Sequence, residues 1–319
     1  MELHALHGER PVIKDLAHSA PIRVGLSWAG LALRFALTAV VLMLVAPVGA
    51  RQAPSAEPLT VMSFNIRYGT ANDGENRWEN RREALFALMR AENADLVGLQ
   101  EALHGQIQEI LAAVPGYAVA GVGRDDGRTK GEFSAILFRT SRFTLSDAGT
   151  FWFSDTPEVV ASTSWGNTIT RICSWARFID RDGRAFWHYN VHLDHQSQPS
   201  RERSTELLAR RIAARGERGE PAIVTGDLNV GESNPALAAL VGSASAPGPF
   251  VDTLRVLHPD VKEAGTFTGF DATRIAGDKI DYVFVPRGTE VLSAAIIRTA
   301  TNGRSPSDHF PVIARVRLK

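Results

Sequence analysis

The sequence predicts a layered α/β fold, and three observations carry that prediction. Short apolar runs of strand length recur from Leu59 to Lys319. Apolar residues at helical spacing mark helices of moderate length between them, and no second linker interrupts the alternation after residue 58. The chain has 319 residues, 44% hydrophobic and 22% charged, enough to bury a large core.

The elements follow in order. Residues 35–50 (FALTAVVLMLVAPVGA) are apolar throughout, follow Arg23 and Arg34, and end on small residues. This pattern predicts an exported protein whose residues 1–50 are a signal peptide with a long leader, or else an uncleaved N-terminal membrane anchor. The run of 16 residues is shorter than the roughly 20 that span a bilayer. Residues 51–58 read as a linker with two prolines, and residues 59–319 as one catalytic domain. Leu59–Ile66 alternates, with Met62, Phe64 and Ile66 on one face, and predicts a strand. Leu85, Leu88 and Met89 predict a helix; Asp95–Gln100 reads as a buried strand; Ile107, Ile110, Leu111 and Val114 predict a second helix, closed by Pro115-Gly116. Strands are expected at Ser134–Phe138, Arg171–Phe178 and Phe186–Leu193, with Asp182-Gly183 turning between the last two. Ser200 is read as the cap of a helix running to about Arg215, Ala222–Thr225 as a buried strand ended by a sharp turn at Gly226, and Ile280–Val285 and Val312–Val316 as the last strands.

Charge and cysteine narrow the function. The chain carries 35 basic and 35 acidic side chains, and the part after residue 50 carries 31 against 32. That balance lacks the basic excess of a dedicated nucleic-acid binder. Cys173 is the single cysteine, so neither an intramolecular disulfide nor a cysteine zinc site can form, and a small core residue is expected there.

Hydrolysing a phosphoester requires a cation against the phosphoryl oxygens, a base that aligns water, and stabilisation of the leaving oxygen. Candidates for each stand at strand ends. Glu101 follows an apolar run and is the expected ligand of a hard divalent cation. Asp227 and Asn229, two apart in Gly226-Asp227-Leu228-Asn229, would point the same way in extended geometry. Asp281 enters an apolar strand and needs a partner; His309, beside Asp308, is the one expected. His192 shares a strand face with His188 and Asn190 and is expected to donate to phosphate, oriented by Glu132. Arg171 suits a phosphate clamp, with a surface ion pair as the alternative. Asp194-His195 reads as a solvated loop, and Trp78, Arg81 and Arg82 as helix-opening residues within reach of substrate.

Six motifs in this order, Phe64-Asn65-Ile66-Arg67, Leu99-Gln100-Glu101, Asn190-Val191-His192-Leu193, Gly226-Asp227-Leu228-Asn229, Ile280-Asp281-Tyr282 and Ser307-Asp308-His309, resemble the endonuclease/exonuclease/phosphatase superfamily of DNase-I-like metal-dependent phosphohydrolases. The stretches around Glu132, Phe151 and His195 resemble an uncharacterised bacterial branch of it. The resemblance implies a four-layer α/β/β/α sandwich of two packed mixed β-sheets flanked by helices. It implies Mg²⁺ or Mn²⁺ held by Glu101, with Asn65 and Asp308 nearby. Asp227 would activate water or protonate the leaving group, Asn229 and His192 would hold the phosphate with Asn65 and Arg171, and the Asp281–His309 pair would support transition-state charge. A phosphodiesterase of nuclease type is the leading expectation, with nucleic acid a possible substrate. A phosphomonoesterase on sugar or inositol phosphates is the alternative, and a non-catalytic binding module the reading from another class. No obligate protein partner is evident, and a monomer is expected.

Overall fold

The computed structural model describes residues 57–217, 219–301 and 303–319. The leader and all but the end of the linker lie outside the described residues. Ala56–Lys319 forms one compact unit.

Two six-stranded sheets form its middle. In the first, neighbours run β11 (Glu290–Ile296), β12 (Val312–Arg317), β1 (Leu59–Asn65), β2 (Leu96–Ala102), β4 (Phe133–Arg139) and β3 (Tyr117–Ala120). In the second they run β5 (Phe143–Trp152), β6 (Ile172–Asp180), β7 (Ala185–His192), β8 (Ala222–Asp227), β10 (Asp281–Pro286) and β9 (Phe250–Asp252). Each sheet holds one parallel pair, β1–β2 and β7–β8, among antiparallel neighbours. A parallel pair needs a crossover. Helix α1 (Trp78–Glu92) lies in the first crossover and α3 (Gln198–Ala214) in the second; α2 (His104–Ala113), α4 (Ala238–Val241) and α5 (Thr253–Leu257) are shorter.

Three apolar clusters make this a four-layer sandwich. Val61, Leu96, Ile136, Phe178, Val283 and Val312 meet between the sheets. Met62 and Phe64 face outward to Leu85, Met89 and Ile110 of α1 and α2. Val191 and Val224 face outward to Leu207, Leu208 and Ile212 of α3. Because both faces of the central strands are covered, their polar residues are buried too. Asn190 accepts from Gln100 (2.7 Å) and Thr225 (3.0 Å) and donates to the carbonyls of Leu99 and Ala135, which joins the two sheets by a polar seam. Gly98 permits this approach, since a Cβ there would lie 2.1 Å from Thr225 Oγ1. Cys173 is buried, as expected.

Two local readings are corrected. The cap of α3 is Ser197, whose side chain accepts from the Ser200 backbone N–H; Ser200 stands one turn inside. Gly226 lies within β8 rather than at a turn, and it is small because a Cβ would lie 2.5 Å from the Val191 carbonyl. Strands β3, β5, β9 and β11 went unpredicted. Edge strands β5 and β11 expose most of their side chains, so no apolar alternation marks them.

Candidate active site

The parallel pairs bring the candidate residues to one end of the sandwich. Asn65 ends β1, His192 ends β7 and Asp227 ends β8, while β10 runs the other way and starts there with Asp281. The register sets Asp227 directly between His192 and Asp281 on the neighbouring strands. Asp308 and His309 precede β12, which pairs with β1. Ser307 ties this segment to the first sheet by donating to the Asn65 carbonyl (2.7 Å).

Asp227 is the centre. Its Oδ2 accepts from Asn65 Nδ2 (3.0 Å) and lies 3.6 Å from His192 Nε2 and 3.8 Å from His309 Nε2. Those two separations exceed a hydrogen bond and suit a bridging polar atom. Burial, with the Asp281 charge beside it, pushes the Asp227 carboxyl up to about 7, against the pull of His309. His309 Nδ1 hydrogen-bonds Asp281 Oδ2 at 2.8 Å, so the expected pair is formed. Burial alone would depress this imidazole; Asp281 and Asp227 outweigh it and hold His309 well above the usual histidine range. His192 is held well below that range by burial and by the Arg171 and Arg124 guanidiniums.

The expected orientation of His192 by Glu132 is not made. Glu132 Oε2 stands 3.9 Å from His192 Nδ1, and both its oxygens accept from Arg124 at 2.7 Å. The guanidinium is the stronger, bidentate partner and takes the carboxylate. Asn229 also departs from expectation. Its backbone is left-handed (φ 52°), its N–H donates to Asp227 Oδ1 and its amide to the Leu193 carbonyl, so the pair is a tight turn rather than an extended one. Arg67 (φ 56°) and Glu101 (φ 58°) share that uncommon conformation. Three non-glycine residues in the left-handed region beside one cavity mark a functional site.

Glu101, Asn65 and Asp308 were the expected metal ligands. Glu101 and Asp308 line the cavity, and Arg67 lies 3.8 Å from each. Burial, and the like charge of Glu101, raise the Asp308 carboxyl, with His309 opposing. Two convergent carboxylates of this kind fit a hard divalent cation. Asn65 instead bridges carboxylates, donating to Glu101 as well as Asp227, while its oxygen accepts from the Arg67 N–H. Asp227, Asp281 and His309 form a second group whose ligand atoms lie within 4.8 Å of one another. An imidazolium cannot ligate a metal, so we assign the cation to Glu101 and Asp308.

The site opens into a cavity of about 850 Å³. Tyr68, Ile169, Phe267 and Arg274 wall it, together with Arg124, Arg171 and His195. Arg171 is buried rather than a surface ion pair, and it hydrogen-bonds His195 Nδ1 at 3.0 Å. Asp194 is buried as well, accepting from the Gln196 and Ser197 N–H groups, so this segment is not a solvated loop. Trp78, Arg81 and Arg82 do not line the cavity. Arg67 and Arg124 are the site residues that sequence reasoning passed over. Arg67 was legible in Phe64-Asn65-Ile66-Arg67, whereas no local pattern marks Arg124 in its loop.

Comparison with known proteins agrees with this geometry. The endonuclease/exonuclease/phosphatase family profile matches residues 62–309. An endonuclease/exonuclease/phosphatase family protein of Bacteroides thetaiotaomicron is 33% identical, with TM-score 0.75 over 83% of this chain and 99% of that one. A mannosyl-6-phosphatase of the same organism is also 33% identical, with TM-score 0.74 over 82% and 99%. The uncharacterised protein L388 of Acanthamoeba polyphaga mimivirus is 28% identical over 181 residues, 54% of this chain and 67% of that protein.

Proposed function

The chain belongs to the endonuclease/exonuclease/phosphatase family, and on that premise we propose that it is a metal-dependent phosphomonoesterase acting on a small phosphorylated sugar. One observation carries the proposal. A carboxyl pushed up to about 7 lies between two histidines of opposite charge on the floor of a small-molecule-sized cavity.

The roles follow from the chemistry of each group. Asp227, close to half-ionised at neutral pH, takes the proton of the attacking water. His309 presents an imidazolium toward the phosphoryl oxygens, kept charged and oriented by Asp281. His192 stays neutral and offers its Nε2 to the same group. Arg171 and Asn229 line the cavity and can donate to the remaining oxygens. A Mg²⁺ or Mn²⁺ ion at Glu101 and Asp308 would supply charge neutralisation at the phosphorus and leaving oxygen.

Sequence alone favoured a diester, and two findings favour the monoester. The cavity suits one sugar phosphate, whereas specific DNA recognition buries about 1,000–2,500 Å² of strongly basic surface. The 33%-identical relative over 99% of its length is a mannosyl-6-phosphatase. The test is hydrolysis of mannose 6-phosphate and p-nitrophenyl phosphate against bis-p-nitrophenyl phosphate with Mg²⁺ or Mn²⁺. A higher kcat/KM on the monoesters supports the proposal; preference for the diester overturns its substrate class. No turnover of either with any divalent metal overturns the hydrolase reading. Residues 1–50 further place the enzyme outside the cytoplasm in this proposal. N-terminal sequencing of exported protein should then begin near Arg51, and an intact terminus would favour the anchor.

A further inference from the structure

Arg81 carries a buried charge that the proposed mechanism does not use. It is 5% exposed, and no carboxylate lies within salt-bridge distance of it among the described residues. Its guanidinium is spent on backbone carbonyls. Nη1 donates to Ile66 (2.7 Å) and Pro306 (3.2 Å), Nη2 to Arg67 (2.8 Å) and Nε to Asn76 (3.0 Å). Trp78 and Phe270 hold it between their rings, at 5.0 and 5.6 Å.

The carbonyls belong to two segments far apart in sequence. Ile66 and Arg67 follow Asn65, whose amide bridges Glu101 and Asp227. Pro306 stands two residues before Asp308. Burying a guanidinium without a carboxylate is costly unless its donors are satisfied, and here they fix how far apart the two segments stand. We propose that Arg81 is a positioning residue that sets the distance between the Glu101 and Asp308 carboxylates through the backbone on either side of them. The catalytic consequence rests on the phosphatase reading; the consequence for cation binding does not.

Lysine at this position keeps the charge and the apolar stem but cannot span three segments with a planar fork. The test compares wild type, Arg81→Lys and Arg82→Ala by thermal melting, by Mn²⁺ titration followed by electron paramagnetic resonance, and by kcat and KM. Arg82, on the same helix, pairs with Glu109 away from the cavity and serves as the control. Arg81→Lys should melt cooperatively, bind Mn²⁺ about 10–100-fold more weakly and lose kcat by a similar factor, with KM little changed. Arg82→Ala should match wild type. Wild-type Mn²⁺ affinity in Arg81→Lys, an equal loss in Arg82→Ala, or no Mn²⁺ binding by wild type overturns the proposal. If Arg81→Lys does not fold, Ser307→Ala removes the other tie between the same segments. Weaker Mn²⁺ binding there supports the proposal, and unchanged binding overturns it. Should wild type hydrolyse no phosphoester, the phosphatase reading fails while the Mn²⁺ titration still decides the role of Arg81.

Discussion

Two histidines face the same carboxylate oxygen from opposite sides and hold opposite charge. His192 and His309 are both buried, with Nε2 atoms 3.6 and 3.8 Å from Asp227 Oδ2. What separates them is the neighbour behind each ring. Asp281 gives its carboxylate to His309 Nδ1 at 2.8 Å. Glu132 stands behind His192 but has given both oxygens to Arg124, which leaves His192 Nδ1 without a hydrogen-bond partner among protein groups. A carboxylate near a histidine therefore raises it only when no guanidinium takes the carboxylate first.

The largest expected effect tests the shared centre of the comparison. Asp227→Asn keeps the volume and the Asn65 contact but cannot take a proton. Turnover should fall by about 10²–10⁴-fold, with Mn²⁺ binding retained. Steady-state kinetics on a monoester check this, and near-wild-type kcat would remove Asp227 from the base role. Next comes the charged side. Asp281→Asn should bring His309 down toward the ordinary histidine range and cost about 10²-fold in kcat, the low end for a positioned acid–base group. NMR titration of the His309 ring reads the shift directly, and a ring still charged well above neutral pH would mean that Asp227 alone suffices.

Glu132→Gln is the matching change on the neutral side, and it should not match. It leaves Arg124 buried and half-satisfied, so the cost falls on stability, about 1–3 kcal/mol by urea denaturation. Activity per folded molecule should change far less than in Asp281→Asn. An equal loss of kcat in both variants would restore the symmetric reading in which each carboxylate orients its histidine.

This asymmetry also marks how far the sequence could be read. The pairing of Asp281 with His309 was legible because a carboxylate entering an apolar strand has few ways to be satisfied. The gathering of Asn65, Glu101, His192, Asp227 and Asp308 was legible because each ends a strand or precedes one. Glu132 and Arg124 lie only eight residues apart, yet nothing periodic in that loop says that the guanidinium folds back onto the carboxylate. Asn229 was misread for a related reason. Residues two apart share a face only in extended backbone, and the left-handed turn at Asn229 is set by the Asp227 carboxylate it helps to hold. Local pattern reports which side chains reach the cavity; competition among partners inside it is a tertiary property.

The smallest effect lies in how stability varies with pH, and there the two histidines act with opposite sign. His192 is depressed when folded, so below pH of about 6.5 the unfolded chain binds a proton that the folded chain refuses. Its contribution is complete above that pH and is lost as pH falls, at up to about 1.4 kcal/mol per pH unit. His309 is raised, so the contribution of its charged pair with Asp281 is complete below about 6.5 and is lost as pH rises through the folded value. His192→Asn should therefore flatten the acid side of the stability profile, and Asp281→Asn the alkaline side. Urea denaturation from pH 5 to 9, in the presence of a chelator, reads both limbs. If His192→Asn left the acid side unchanged, His192 would have to be charged in the folded protein, and the contrast between the two rings would fail at its neutral member.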